Sequence, residues 1–261
     1  MRVRAPLLTG IGGLAVAAAL FAGSALPAAA DTSSPSPSPA ASPSSSPSAG
    51  PTSGACRGST AAVLACIKQR AATAIANRET TLQALTTALN NSANVTAGDK
   101  STLLGQIQGD ESGLSTLNTT IQNDTTVQQA WSDAQTIVTG YRVYVLEAPK
   151  VHLVIAADTE TAVESFLQSV MPAVQTAITD SNASADKKAE AQAAFNDCAS
   201  QLAAAQSETS GVVGSVINLE ASGYPGNEPT LASARQSVTT ARQDLGNCHK
   251  DLESIREDLG L

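Results

Sequence analysis

Apolar residues recur every three or four positions through most of the chain beyond Cys56, which is the spacing of one face of an α-helix. The clearest series lies at the C-terminal end and has no polar interruption. Its members are Leu231, Ala234, Val238, Ala241, Leu245, Cys248, Leu252, Ile255 and Leu259. Such a series is typical of a coiled-coil-like seam and predicts a long helix packed against a partner.

A second series of the same spacing precedes it. Its members are Phe195, Cys198, Leu202, Ala205, Thr209, Val212, Val216 and Leu219. Between the two series, residues 222–227 contain two glycines and a proline, which interrupt a helix. The sequence therefore predicts two long antiparallel helices that fold back on each other as a hairpin.

Four further helices are predicted upstream, with breaks near residues 90–97, 123–125, 148–150 and 180–184. Thr96 and Asp99 form a capping arrangement at the start of the second helix. Pro149 suits the first turn of the fourth. We expect an all-α fold, an elongated antiparallel helical bundle of long coiled-coil-like helices, over residues 56–261.

Residues 141–155 allow a second interpretation. Two runs rich in β-formers, residues 141–146 and 151–155, flank a four-residue turn, which is a pattern of β-hairpins. A lone two-stranded hairpin is marginally stable, and the sequence offers no other strand for it to join. We therefore favour a helix here.

The four cysteines fit the hairpin. Cys198 and Cys248 are equidistant from Gly223 in the turn, so both thiols should lie at the same height on the two helices. This predicts a disulfide between them in an exported protein, with a second joining Cys56 to Cys66. Buried free thiols are the alternative for either pair.

The N-terminal 55 residues have a different character. Arg2 and Arg4 precede an uncharged apolar stretch that ends in three alanines at residues 28–30, which predicts a signal peptide over residues 1–30, cleaved before Asp31. Residues 31–55 contain ten serines and six prolines and no large apolar side chain, which predicts a disordered linker. If the signal were retained, its apolar stretch would nearly span a bilayer and anchor the chain.

Charge and aromatic content exclude some partners. The formal net charge is −8 and aromatic residues make up 3% of the chain. Because basic groups supply most of the affinity for nucleic acids, we expect no nucleic-acid partner. The scarcity of aromatic side chains also argues against a base-stacking platform.

Three of the few aromatic residues, Trp131, Tyr141 and Tyr144, lie within 14 residues, and Arg142 lies between the two tyrosines. They predict either an interaction layer or the bulkiest layer of an alanine-rich core. We favour the core and retain these four residues as the candidate interaction site.

The sequence contains none of the catalytic or nucleotide-binding motifs with a known mechanism. His152 and His249 lack a second ligand at helical spacing, so we expect no metal and no cofactor. Acidic residues at helical spacing are interpreted as solvated helix faces. They are Asp158, Glu160, Glu164, Asp251, Glu253 and Asp258.

Residues 141–146, with Pro149 and residues 156–158, resemble a segment of exported helical proteins of high-GC Gram-positive bacteria. Ala-Arg pairs at Ala234 and Ala241 also resemble their C-terminal helices. The resemblance covers most of residues 95–261. It implies an exported, helical, coiled-coil-like protein and no catalytic residue.

These expectations together describe a secreted or extracellular protein, associated with the cell wall or envelope, that has a structural or interaction role and is not an enzyme. Its partner would be a protein or a cell-wall polymer. We expect contact with a membrane only if the signal peptide is retained. An oligomer is a further alternative, because the apolar seam of a helix can also be buried against a second chain. The alternative is a small-ligand-binding protein or enzyme with a site near residues 131–152.

Overall fold

The computed structural model describes residues 56–261, and the signal and linker predictions for residues 1–55 lie outside them. The all-α prediction is confirmed for this part, which contains no strand. We number its α-helices in chain order. They are α1 (Thr60–Asn91), α2 (Ala97–Asn123), α3 (Val127–Thr139), α4 (Ala148–Asp180), α5 (Ala185–Thr209), α6 (Val212–Val216) and α7 (Glu228–Leu259).

Side-chain caps define the starts of four of these helices. The hydroxyl oxygens of Ser59, Thr96, Thr126 and Ser184 each accept a hydrogen bond from a backbone N–H in the first turn. Each cap satisfies a donor that would otherwise lack an intrahelical partner. Thr96 also donates its hydroxyl hydrogen to Asp99 Oδ2 at 2.6 Å, so the capping residues predicted for α2 are in contact.

The first three helices pack on one another. Helix α1 contacts both α2 and α3. Lys68 Nζ donates to the backbone oxygen of Gln122 at 2.7 Å, which places the start of α1 beside the end of α2. The apolar stripes predicted from the sequence are buried between the helices. Their buried members are Ile67, Ala71, Ile75, Leu82, Leu85, Leu89, Leu103, Ile107, Leu114 and Ile121.

Helix α4 connects this group to the C-terminal helices. It contacts α1, and it also packs against α5, α6 and α7. Apart from His152, none of its residues from 150 to 160 is exposed, whereas an exposed stripe follows through Thr161, Ser165, Gln168, Pro172 and Thr176. Charged residues on the covered faces of α4 are therefore buried, as described below.

Helices α5 and α7 form the most extensive helix pair of the described chain, and they run antiparallel. Lys187 near the start of α5 contacts Asp258 near the end of α7 at 2.8 Å. Farther along, a disulfide joins Cys198 to Cys248, the pairing that the sequence predicts. A second disulfide joins Cys56 to Cys66 and links the residues before α1 to its second turn.

Two predicted boundaries were wrong. The second seam was expected to form one helix through Leu219, but α5 ends at Thr209 because Gly211 adopts a positive φ of 86° that stops the helix. The break expected at residues 148–150 lies instead at residues 140–142, since Pro149 occupies the first turn of α4.

Within residues 56–261, no helix has the length and apolar character needed to cross a membrane.

Candidate functional site

The segment between α3 and α4 departs from regular helical geometry. Arg142 has a positive φ of 49°, which is uncommon for a residue with a side chain, and Val143–Glu147 form a π-helical turn. Pro149 has no N–H to donate to the preceding carbonyls, which favours a wider turn before it. Strained residues and π-helical turns concentrate at functional positions, so this segment is the first candidate.

The π-helical turn divides its residues between core and solvent. Val143, Leu146 and Glu147 are buried, whereas Tyr144 is 49% exposed and Val145 is 43% exposed. Trp131 on α3 is 40% exposed. The expectation that these aromatic residues form a core layer was therefore wrong for Trp131 and Tyr144. We call residues 131–145 the exposed aromatic segment.

Two arginines lie against aromatic rings at this segment. The guanidinium carbon of Arg78 on α1 is 5.0 Å from the centre of the Tyr144 ring. That of Arg142 is 4.5 Å from the centre of the Tyr224 ring, and the Tyr224 hydroxyl donates to Glu228 Oε1. Both separations are in the range of cation–π attraction. The contacts hold the segment against α1 and against residues 217–227.

A buried ion pair follows the exposed residues along the chain. Lys150 Nζ is 2.8 Å from Glu147 Oε2, and the two side chains are 3% and 5% exposed. Lys150 Nζ also donates to the backbone oxygen of Leu219 at 3.2 Å. Nearby, Gln106 on α2 donates to the backbone oxygen of Ile217 at 2.9 Å. From the sequence, Glu147 and Lys150 were interpreted only as turn residues, and their pairing was not predicted.

The charges of both members of this pair act on Asp110 of α2. Burial and the neighbouring Glu147 carboxylate raise the pKa of Asp110 to about 6, and Lys150 acts in the opposite direction. Burial, followed by the charge of Asp110, also raises the pKa of Tyr141. We call Asp110, Glu147 and Lys150 the charge cluster.

Several buried polar atoms around the charge cluster have no hydrogen-bond partner among the described residues. Two are acceptors, Glu147 Oε1 and Gln106 Oε1, and two are donors, Arg142 Nε and Arg78 Nε. Buried polar groups are nearly always paired in folded proteins. This region is therefore not a hydrogen-bond network in which every buried polar atom has a partner.

Farther along α4, three acidic residues were expected on a solvated face, and this expectation was wrong. Asp158, Glu160 and Glu164 are buried because α4 is covered by other helices on several sides. Asp158 Oδ2 accepts from the backbone N–H of Thr96 at 3.1 Å, which joins α4 to the start of α2.

The other two carboxylates join α4 to α7 and α5. Arg242 Nε donates to Glu160 Oε1 at 2.8 Å, and the Thr209 hydroxyl donates to Glu164 Oε1 at 2.9 Å. Burial is the largest influence on both carboxyl groups and raises their pKa values. The three carboxylates of α4 therefore hold neighbouring helices in place, because the oxygen that each one uses accepts a hydrogen bond from another helix or its cap.

A hydroxyl-lined groove of about 490 Å³ lies where α5, α6 and the start of α7 meet. Its polar lining consists mainly of Ser207, Ser210, Ser215, Thr230, Ser233 and Ser237, with Glu208. No aromatic side chain lines it. It therefore lacks the stacking surface that commonly holds flat ligands.

The histidines and carboxylates of residues 56–261 form no group of three or more that is arranged to hold a metal ion. His152 is exposed, and His249 Nε2 is 3.5 Å from Glu253 Oε1 on the next turn of α7.

Comparisons with models of protein families, with curated proteins and with solved structures find no match to this chain.

Proposed function

We propose that the protein is exported and acts outside the cytoplasm as a helical interaction protein. The observation that carries this proposal is the exposure of the aromatic segment. Among the described residues, the exposed large hydrophobic side chains are Trp131, Tyr144, Val145 and the C-terminal Leu261. Three of the four thus come from one segment, and exposed aromatic residues accompanied by arginine are enriched at protein interaction sites.

The partner is a protein or a cell-wall polymer of the envelope. Acidic composition opposes binding to nucleic acids. No catalytic motif supports an enzyme, and the carboxylates of α4 are engaged with neighbouring helices. We therefore assign the protein a binding or structural role, without a cofactor.

Export is supported by the signal-like order of residues 1–30 and by two disulfides. Disulfides persist in oxidising, extracytoplasmic compartments. Cleavage before Asp31 would release the chain, with residues 31–55 as a linker. Intact-mass measurement of the protein from producing cells tests this, since a mature start at Asp31 supports release and an intact N-terminus supports an anchored stalk.

The shape suited to this role is an elongated bundle of long coiled-coil-like helices. Its support is the length of α4, whose 33 residues correspond to about 50 Å at 1.5 Å per residue. The antiparallel pair α5 and α7 adds a seam along one part of α4.

Site-specific photo-crosslinking in the producing cells tests the surface directly. A photoreactive amino acid at Val145 should yield a crosslinked species of higher mass, because that side chain projects from the π-helical turn. The matched control is Ser254, an exposed position on α7. Crosslinks of equal yield at both positions, or none at Val145, would contradict the assignment.

The charge cluster favours a second candidate function, a small-ligand-binding protein with a site near residues 131–152. Glu147 Oε1 and Gln106 Oε1 lack hydrogen-bond donors, and a ligand bearing N–H or O–H groups would supply them. Native mass spectrometry of the protein isolated from producing cells should then detect a bound molecule that the Glu147→Gln variant loses. A wild-type mass equal to that of the polypeptide alone would dismiss this candidate.

A further inference from the structure

We propose that Arg142 is an anion-binding residue that receives a carboxylate from a peptide segment of the partner, while Tyr144 and Val145 contact an apolar side chain of the same segment. The inference rests on the proposed function, because it names the chemistry that the exposed aromatic segment recognises. Its basis is that the Arg142 guanidinium group is held in place without an acidic partner.

The backbone of Arg142 is fixed in an unfavourable conformation. Among residues 56–261, Arg142 is the only residue other than glycine with a positive φ. Three backbone N–H groups of the π-helical turn donate to its carbonyl oxygen, at 2.9, 3.2 and 3.4 Å. Glycine would adopt this conformation without strain, so an arginine at this position indicates a use for its side chain.

The Arg142 guanidinium group is supported on one face and has no hydrogen bond or ion pair with the described residues. Its carbon atom is 4.5 Å from the centre of the Tyr224 ring. Its Nε is buried without a partner, whereas its two terminal nitrogens are not buried. Because a ring contacts only the face of a guanidinium group, the N–H groups at the edge stay available for a carboxylate.

The acidic residues nearest to Arg142 are engaged with other groups. Glu228 accepts from the Tyr224 hydroxyl, on the far side of the ring that supports Arg142. Glu147, at the end of the same turn, lies 2.8 Å from Lys150 Nζ. Arg142 is thus a cation without a carboxylate partner in a chain whose formal net charge is −8.

Apolar surface lies two and three residues farther along the same turn. Tyr144 is 49% exposed and Val145 is 43% exposed. Arg78 holds the Tyr144 ring from the side of α1, since its guanidinium carbon is 5.0 Å from the ring centre and its Nη1 donates to the backbone oxygen of Ala74 at 2.9 Å. A cation and a fixed apolar surface are therefore neighbours on the exposed aromatic segment.

The charge of the whole chain distinguishes two classes of partner. A long polyanion would be repelled by an acidic protein, whereas a single carboxylate meets the local cation. Exposed aromatic and aliphatic side chains also favour a partner that carries apolar groups. A protein segment with one acidic group a few residues from an apolar side chain meets both conditions, so we favour a protein over a phosphate-rich wall polymer.

NMR of the arginine Nε–Hε groups tests the carboxylate site in the wild-type full chain with its disulfides intact. The probe is N-acetyl-leucine, which carries a carboxylate beside an apolar side chain, and N-acetyl-leucinamide is its neutral match. The Arg142 signal should shift saturably with the acid, and the amide should bind at least about tenfold more weakly. The signal of Arg235, exposed on α7, should show no saturable shift and serves as the internal reference.

Arg142→Gly should lose the binding of N-acetyl-leucine and keep the fold, because glycine relieves the strain of the positive φ. The matched control is Arg235→Gln, which should bind the acid as the wild type does. Circular dichroism verifies that both variants are folded. An Arg142→Gly variant that binds the acid with wild-type affinity would overturn the proposal.

Two results with the wild type would also overturn the proposal. The first is an Arg142 signal that does not shift saturably, or that responds equally to the acid and the amide. The second is tighter binding of polyphosphate, the probe for a polyanion, than of N-acetyl-leucine at the same pH and ionic strength, which would favour a wall polymer instead.

Photo-crosslinking at Val145 separates this inference from the proposed function. Binding of the acid at Arg142 without a crosslinked partner in the producing cells contradicts the proposed function alone. A crosslinked partner whose yield is the same in the Arg142→Gly variant contradicts the carboxylate site alone.

Discussion

Lys150 Nζ lies 2.8 Å from Glu147 Oε2 with both side chains almost fully buried, so each charge depends on the other for its neutralisation. Lys150→Met should therefore lower the free energy of unfolding by about 3 kcal/mol, because it leaves Glu147 as an unbalanced buried carboxylate. Urea unfolding near neutral pH, followed by circular dichroism, measures this loss.

The double variant Glu147→Gln/Lys150→Met is the matched control for that prediction. It leaves no charge from the pair in the interior, so it should be more stable than Lys150→Met alone. A double variant that is less stable than the single variant would show that the pair is not the interaction that Lys150→Met removes.

The helical class could be predicted from the sequence, because apolar residues that recur every three or four positions match the periodicity of an α-helix. The sequence also predicted the cysteine pairing, since Cys198 and Cys248 are equidistant from the turn at Gly223. It did not predict that α5 ends at Thr209. The apolar spacing continues to Leu219 and gives no sign of the positive φ of Gly211.

The candidate site was predicted only in part. The cluster of aromatic residues at 131–144 was identified, but its exposure depends on how the π-helical turn directs Tyr144 and Val145 outward. The burial of Glu147, Lys150 and Glu160 depends on which helices cover α4. A signal was present in the sequence, because six of the seven residues from 151 to 157 are apolar, and charges beside so apolar a stretch of helix are buried with it.

Two acidic residues one turn apart on α4 should respond oppositely to neutralisation. Glu164 accepts from the Thr209 hydroxyl, a bond that glutamine can also accept, and lies near the charge of Glu160. Glu164→Gln should therefore raise the free energy of unfolding by about 1 kcal/mol near pH 7.5. Glu160→Gln should lower it by about 2 kcal/mol, because it removes the charge-assisted bond with Arg242.

The gain from Glu164→Gln should also depend on pH. Because burial raises the folded-state pKa of Glu164, the wild type carries the cost of its charge above that value and loses the cost when the carboxyl group is protonated. The advantage of the variant should thus shrink as the pH falls toward 4. A gain that stays constant from about pH 7.5 to about pH 4 would be inconsistent with the raised pKa.

Two glycines of α2 should differ in their tolerance of a methyl group. A Cβ at Gly109 would have no atom within 4 Å, whereas a Cβ at Gly113 would lie 2.5 Å from the Tyr141 hydroxyl oxygen. Gly109→Ala should raise the free energy of unfolding by about 1 kcal/mol through helix propensity. Gly113→Ala should show no such gain, because Tyr141 must move.

Thermal unfolding of the two glycine variants beside the wild type provides the comparison. Equal stabilisation by both substitutions would show that Tyr141 does not rest against α2 at Gly113.

The two disulfides should contribute unequally to stability. Cys198 and Cys248 are separated by 50 positions, and Cys56 and Cys66 by 10. On the chain-entropy account, replacing the long-range pair with alanine should cost about 4 kcal/mol and replacing the short-range pair about 3 kcal/mol. Guanidinium unfolding of the two double-alanine variants measures the difference, and a larger loss from the Cys56–Cys66 pair would contradict the chain-entropy account.

The most direct measurement of the central claim is binding of the full chain to the insoluble cell-wall fraction of the producing organism. Wild type is compared with the triple variant Trp131→Ser/Tyr144→Ser/Val145→Ser and with a control triple variant, in which exposed Gln243, Lys250 and Arg256 on α7 are changed to serine. We expect saturable binding of the wild type and the control, and at least about a tenfold loss of affinity in the first variant. Equal affinities for all three proteins, or no saturable binding of the wild type, would contradict the claim that the exposed aromatic segment binds a partner in the envelope.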